Sequence, residues 1–491
     1  MLKRNPITLT AYAFLLLPIL IFLLNWIKWF ISIPLIVAII YGFYQVISEN
    51  EPKDFIRFSL TRKNVVILAI IFGWVALSGV GGLAWQNRWD HMFRNAIFND
   101  LVNYAWPVMD FSLETTRTLV YYFGFWLPSA GLAKLFGNIS VGYISLYFWT
   151  VFGVILAILL IFNWLKKISI KVVLVFIFFS GLDIISYVGV SYLQQGLSLS
   201  QILINLRNWQ HLELILEIVN ASSNTTLLFW LYNQIVPFWI GFMLILSQRN
   251  NKHLIFTFSL LILYSPFPAF SLIPFIIYKM LSNVDFKFKY FSESFVKLFK
   301  SAFTISNISG FTLLILVSLF FMSGNAVNTI WFFPLDFGVI RGILIFLTLE
   351  FFVFFPFIWP QIQRNFGYWV IFITTVLFSF VVLGKCCDFA WRTSIPLTYF
   401  TMLLILRELV ELKNMRTVKV FYLIIILSIG AFTPTMEIMR TISKTKHIIR
   451  GDIQEPLISD GLSSVFDTNN SLKDLFVGSK DSFFIDNLIK K

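Results

Sequence analysis

The chain has 491 residues, of which 58% are hydrophobic and only 13% charged, and its mean hydropathy is +0.80. A water-soluble globule is excluded, because it has no way to hide that much apolar surface, and the lipid bilayer must be the main solvent. The net charge of +13 would suggest nucleic acid in a soluble protein. Here Lys and Arg in cytoplasmic loops account for it, and no nucleic-acid partner is expected.

Lys3 and Arg4 precede a long apolar run from Leu9. It resembles a signal peptide, but no small-residue cleavage site follows and a second apolar run does, so an uncleaved first span is expected. A span needs roughly 20 apolar residues. Runs of that kind fall near 8–28, 31–48, 64–83, 141–163, 171–190, 226–247, 254–267, 268–283, 303–322, 339–359, 367–384, 395–410 and 418–434. The expected fold is all-α, a polytopic transmembrane helical bundle of about thirteen spans. The pair at 254–283 is short and carries Pro266, Pro268 and Pro274. It reads as a broken or re-entrant hairpin, tolerated only where protein covers it.

Lys and Arg set the orientation. With the N-terminus inside, the inner connections hold Lys53, Arg57, Arg62, Lys63, Lys166, Lys167, Lys171, Arg249, Lys252, Lys287, Lys289, Lys297, Lys300, Arg407, Lys413, Arg416 and Lys419. This requires 117–137, with Pro128 and Lys134, to be an outer-surface helix rather than a span. The chain then divides into a transmembrane module, 1–434, and an outer tail or small appendage, 435–491. Outer loops fall at 84–138, 191–225 and 385–394. The expected setting is a bacterial inner membrane, crossed many times, with the N-terminus cytoplasmic and the C-terminus extracytoplasmic.

Three polar constellations share the outer face. The first is Asn87-Arg88-Trp89-Asp90-His91-Met92-Phe93-Arg94. Phe93, Ile97, Leu101 and Tyr104 fall on one face of an interfacial helix over 89–108, with Asp90, Arg94 and Asn87 on the other. A carboxylate at head-group level can take a proton from an incoming hydroxyl; it is equally an ordinary solvated loop charge. The second constellation is Lys385 with Asp388-Phe389-Ala390-Trp391-Arg392-Thr393-Ser394-Ile395-Pro396. A guanidinium at the mouth of a span calls for an anionic partner, either a phosphate bound bidentately or Asp388 four residues away. The third is His211 and Glu213, followed by Asn224 and Thr225. Amides, hydroxyls and nearby aromatic rings suit sugar binding, although a lone histidine is more often structural. Asp183 lies near the outer end of its span and is a site candidate on that ground. Glu350 falls mid-span, where burial against an unidentified polar partner would account for it, and it stands outside the main site. Adjacent Cys386 and Cys387 suit small buried side chains better than a strained disulfide, and no Cys/His spacing suggests zinc.

This layout resembles the GT-C superfamily of integral-membrane glycosyltransferases. The resemblance rests on the acidic first outer loop, on Tyr121-Tyr122-Phe123-Gly124-Phe125-Trp126-Leu127-Pro128 through Lys134-Leu135-Phe136-Gly137, and on Arg392-Thr393-Ser394-Ile395-Pro396. The strings Asn87-Arg88-Trp89-Asp90, Ser180-Gly181-Leu182-Asp183 and Asn224-Thr225-Thr226 also resemble an uncharacterised bacterial branch of membrane proteins. Two spans rather than one precede the acidic loop, and His91 stands where many of these enzymes carry a second acid.

The resemblance implies transfer of a sugar from a polyprenyl-phosphate donor to a glycan, lipid or protein acceptor in cell-envelope synthesis. Asp90 would be the base, and Arg392 and Lys385 would hold the donor phosphate. Asn87, His91, Arg94, Asp183, His211, Asn224, Thr225 and Asp388 would line the substrate. No cofactor is assigned, and a divalent metal is left open. A lipid-linked oligosaccharide flippase or a polysaccharide polymerase is the competing reading.

Overall fold

The computed structural model describes residues 5–49, 55–111, 117–213, 219–248, 251–282, 302–325, 330–383, 388–411, 418–467, 475–478 and 482–490, with Arg88, Trp89 and Asn251 by backbone only. Lys385, Cys386 and Cys387 fall outside the described residues.

The chain opens with α1 (Pro6–Trp26), whose start is capped by Asn5: its side-chain oxygen accepts from the backbone N–H of Ile7 at 3.0 Å. Two more helices follow, α2 (Trp29–Glu49) and α3 (Arg62–Leu77). The first large loop holds α4 (Arg88–Asn103), β1 (Met109–Asp110), β2 (Arg117–Leu119) and α5 (Leu127–Phe136). The ten residues of α5 are too few to cross a bilayer. Proline opens this helix and Gly137, at φ 61°, closes it in the left-handed conformation that glycine adopts cheaply. Lys134 pins α5 to α4 by donating to the Val102 carbonyl at 2.9 Å.

The bundle continues through α6 (Ile139–Leu165), α7 (Ile170–Phe178), α8 (Asp183–Leu193), α9 (Leu199–Arg207) and α10 (Asn224–Ser247). Then come α11 (Leu254–Ser259), α12 (Pro266–Ser282), α13 (Ile305–Met322) and β3 (Ile330–Phe332). They are followed by α14 (Phe337–Glu350), α15 (Phe355–Ile362), α16 (Phe366–Phe378) and β4 (Val381–Leu383). The last elements are α17 (Asp388–Thr393), α18 (Ile395–Glu411), α19 (Val418–Gly430), α20 (Phe432–Ile449), β5 (Val477–Gly478) and α21 (Phe483–Asn487). The all-α expectation holds apart from two small antiparallel sheets, β1-β2-β5 and β3-β4.

Contacts sort the helix ends into two sets. At one end Glu49 lies 3.8 Å from Lys252 and 3.2 Å from His253. There Lys63 donates to the Ile168 carbonyl at 2.6 Å and Lys167 to that of Val410 at 3.3 Å. At the other end the Lys28 N–H donates to Leu488 at 3.0 Å, the Gln86 N–H to Leu457 at 3.1 Å, and Ser394 to Asn220 at 2.6 Å. Lys63, Lys167 and Lys252, assigned to inner connections, thus collect at the end opposite the long loops.

Nine helices among the described residues are long and apolar enough to cross a membrane, counting continuous pairs such as Ile170–Leu193 and Phe337–Ile362 as one each. The expected thirteen is not reproduced. One reason is the pair at 254–283. Residues 251–253 and Lys279 lie at the lysine-rich end, Lys279 donating to the Ile245 carbonyl at 2.6 Å. The chain runs in along α11, turns at 260–265 and returns along α12 as a hairpin. Its tip is irregular backbone, tolerable in a bilayer because Leu260, Leu261, Leu263, Tyr264 and Ser265 are all buried in protein.

Three crossings are interrupted at one level. The chain leaves the helix between α7 and α8 at Ser180-Gly181, between α14 and α15 at Phe351, and between α19 and α20 at Ala431. The breaks hold one another: the Leu182 N–H donates to the Leu349 carbonyl at 3.1 Å. Gly430 rests on the backbone of Ser180 and Gly181 so closely that a Cβ there would collide with the Ser180 carbonyl and sit 2.9 Å from that of Gly181. Backbone does not yield as a flexible side chain does, so Gly430→Ala should cost about 1–3 kcal/mol, the usual range for overpacking. Thermal unfolding in detergent reads this; an unchanged melting temperature would mean that the breaks do not touch.

Candidate functional site

The α4 helix starts at the loop-rich end and carries Asp90 in its first turn, where the helix dipole favours a negative charge. Asp90 Oδ1 lies 3.6 Å from Arg94 Nη2, with the Asp90 side chain one-third exposed and that of Arg94 at 4%. Of the residues expected on the polar face of α4, Asp90 and Asn87 are partly exposed and Arg94 is buried. Arg94, Asn95 and Asp100 are buried alongside Ile97 and Leu101. The tail meets Asn95 and Asp100. Asn95 donates to Gln86 at 2.7 Å and to the Ser459 carbonyl at 2.9 Å, and Asp100 accepts from the Val465 N–H at 3.0 Å. The Asp100 carboxyl is pushed up to about 7, chiefly by burial. The tail is therefore woven into the first loop; β5 pairs with β2, Leu119 facing Val477.

His91 also turns inward. Its Nε2 meets the Phe229 carbonyl at 2.8 Å and its ring stacks on Tyr232. Burial first, and the Arg94 charge second, lower it to about 3, so the imidazole is neutral. Arg94 keeps two buried nitrogens, Nε and Nη1, without a hydrogen-bond partner among the described residues. Asn87 accepts the His91 N–H through its carbonyl at 3.1 Å.

The late segment arrives at the same place. Arg392 on α17 donates through Nη2 to Asp388 at 2.9 Å and through Nη1 to the Tyr122 hydroxyl at 2.7 Å. Its guanidinium lies 5.8 Å from the Tyr122 ring and 5.7 Å from that of Phe267, on the returning limb of the hairpin. The helix pair with Asp388 is thus present, yet the Asp388 side chain is 43% exposed while that of Arg392 is 9%. Tyr121 stacks against Tyr122. Burial, then Tyr122, push the Tyr121 phenol far above its ordinary range, and the positive charges of both Arg94 and Arg392 oppose that rise. Guanidiniums about three hundred residues apart in sequence therefore act on one phenol.

A second polar group lies across the first turns of α10. His211 Nδ1 meets Glu437 Oε1 at 2.7 Å, Trp230 donates to Glu437 Oε2 at 2.9 Å, and Arg440 pairs with the same carboxylate. Arg440 also lies 5.7 Å over the Trp230 ring. Burial opposes a charge on His211, but Glu437 outweighs it and raises the imidazole. Glu213 accepts from the Ser223 N–H at 3.0 Å and from the Thr226 hydroxyl at 2.6 Å. Burial, then Asp183, raise it to about 7. Asp183 accepts from Ser180 at 2.7 Å and faces Glu350 within hydrogen-bonding reach.

Of the residues singled out from sequence, Asp90, Arg94, Asp388 and Arg392 gather around Tyr121-Tyr122, while Asp183 and His211 belong to the second group. Asn224 and Thr225 are spent on packing: they donate to the Phe176 carbonyl at 2.9 Å and the Ile177 carbonyl at 2.7 Å. Glu437 and Arg440 were missed. Their three-residue spacing on a helix was the available signal. Among the described residues no group of three or more His, Cys, Asp or Glu side chains is placed to hold a metal ion. Comparison with protein-family models, with curated proteins and with solved structures gives no match in any of the three.

Proposed function

We propose that the chain is an integral-membrane glycosyltransferase of the GT-C type, moving a sugar from a polyprenyl-phosphate donor to a cell-envelope acceptor on the extracytoplasmic face. The observation that carries this reading is the approach of the late segment to the early loop: Arg392 donates to the Tyr122 hydroxyl at 2.7 Å, the Tyr121 ring lies 3.7 Å from that of Tyr122, and Arg94, 3.6 Å from Asp90, is near enough to act on Tyr121 as Arg392 does. Cationic groups from the early loop and the late segment thus lie around one spot, with the partly exposed carboxylate of Asp90 next to Arg94.

The chemistry follows from that arrangement. A donor phosphate approaching Tyr122 would displace the half-exposed Asp388 from Arg392 and take its place in a bidentate pair. The lipid chain would run beside the hairpin and Phe267. Asp90 would take the proton of the acceptor hydroxyl as that oxygen attacks the anomeric carbon. One in-line displacement inverts the anomeric centre, and the phosphate leaves without needing a second carboxylic acid, unlike the two-carboxylate glycosidase scheme.

A lipid-linked oligosaccharide transporter is the second reading, favoured by one observation. Interrupted helices with buried acids at one level are a transporter feature, and three interruptions meet beside Asp183 and Glu350 here. A polysaccharide polymerase shares the same donor chemistry. Reconstitution with a panel of polyprenyl-phosphate sugars separates these readings. Release of free polyprenyl phosphate with a glycosylated acceptor supports transfer; movement of intact donor across the bilayer without cleavage rejects it.

A further inference from the structure

We propose that Asp183 and Glu350 hold one proton between their carboxyl groups, forming a proton-binding site where three interrupted helices meet. This site is separate from the Tyr121–Tyr122 cluster and does not rest on the sugar-transfer reading.

The placement is set by backbone. Glu350 ends α14 at its break, and its carboxyl presses against Gly181 so closely that any Cβ at that position would collide with both of its oxygens. Asp183, two residues on, opens α8 and faces the same carboxyl. Both residues are 6% exposed. The Leu182–Leu349 hydrogen bond fixes the two chains in register, and Gly430 closes the third side on Ser180 and Gly181. Two ionised carboxylates in hydrogen-bond contact offer four acceptor oxygens and no donor between them. In a buried site that arrangement is untenable, and one shared proton resolves it.

A second observation points the same way. Glu213 is 3% exposed; its Oε1 is satisfied by Ser223 and Thr226, but its buried Oε2 has no partner among the described residues. Its charge acts on both members of the pair. A third acid with a free buried oxygen is a ready acceptor for the proton when the pair gives it up.

Among the described residues, the neighbouring charges do not supply a cation for each carboxylate of the pair. His211 acts on Asp183 from the loop before α10, but both it and Arg440 on α20 are engaged by Glu437. Arg207 on α9 and Arg341 on α14 are exposed, as are Lys171 and Lys419 near the starts of α7 and α19. With the proton bound, the three breaks close on one another. Without it, two negative charges face each other in the interior and push α8 away from α14. The exit for the proton runs through Glu213 toward the loop-rich end.

Infrared difference spectroscopy on the full chain in lipid nanodiscs tests this. The wild type should show the carbonyl stretch of a protonated carboxylic acid at neutral pH. The pair's share of that band should vanish in Glu350→Gln and in Asp183→Asn and survive in Glu213→Gln and in Asp100→Asn, which remove only the contributions of two other acids raised by burial. Its absence from the wild type would overturn the proposal, as would a band untouched by the first two substitutions or lost only with the third. A band that disappears when sodium replaces choline would assign the site to a metal cation and overturn it as well. Should one variant fail to fold, the slope of melting temperature against pH in the other decides. The wild type should melt lower as the pH rises, Asp100 and Glu213 adding to that trend because burial raises them too, and removing one carboxyl of the pair should flatten it; an unchanged slope contradicts the proposal.

Discussion

Asp90→Asn is expected to abolish sugar transfer while leaving insertion, folding and donor retention intact. The amide keeps the size of the carboxylate and loses its basicity. General-base catalysis is worth typically 10²–10⁴-fold, so transfer should drop by about that factor. The structural penalty should be small. The Asp90–Arg94 pair is long, at 3.6 Å, and its acid is one-third exposed, a setting in which ion pairs contribute about 0–1 kcal/mol. Turnover of a polyprenyl-phosphate sugar by the purified variant, beside its melting temperature, separates chemistry from folding. Full turnover would remove Asp90 from the mechanism.

Arg392→Ala should weaken the donor and spare the acceptor. The guanidinium is held by Asp388 at 2.9 Å and Tyr122 at 2.7 Å, so it is positioned before any ligand arrives. A hydrogen bond to a charged group contributes about 1.5–3 kcal/mol, or roughly 10–150-fold in donor affinity. Asp388 is half-exposed and can be hydrated once its partner is gone, which limits the cost to the fold. Arg392→Lys keeps the charge but not the planar fork, and should recover only part of the affinity. Separate titration of donor and acceptor checks this; an unchanged donor constant would exclude the phosphate role.

Much of the fold was legible because span-length apolar runs need little context. That 127–136 forms only a short helix could be read from Pro128 and Lys134, and the hairpin from its three prolines. The pairing of Arg392 with Asp388 followed from a four-residue spacing. What stayed hidden was whatever depends on distant chain. Nothing in α4 announces that residues 459–465 will meet Asn95 and Asp100 on this helix, or that Arg94 will be buried near His91 and Tyr121. Asp183 and Glu350 were each conspicuous as charges in apolar runs, but their pairing spans 167 residues and depends on glycines at 181 and 430 that sequence alone treats as ordinary. Asn224 and Thr225 looked like ligand-binding polarity and instead satisfy the open carbonyls at the end of α7.

Native mass spectrometry of the purified protein tests most directly whether the early loop and the late arginine form one anion site for a lipid phosphate. Polyprenyl phosphate should remain bound to the wild type and to Asp90→Asn and be lost from Arg392→Ala. Retention by Arg392→Ala, or a wild type carrying only bulk phospholipid, would contradict it.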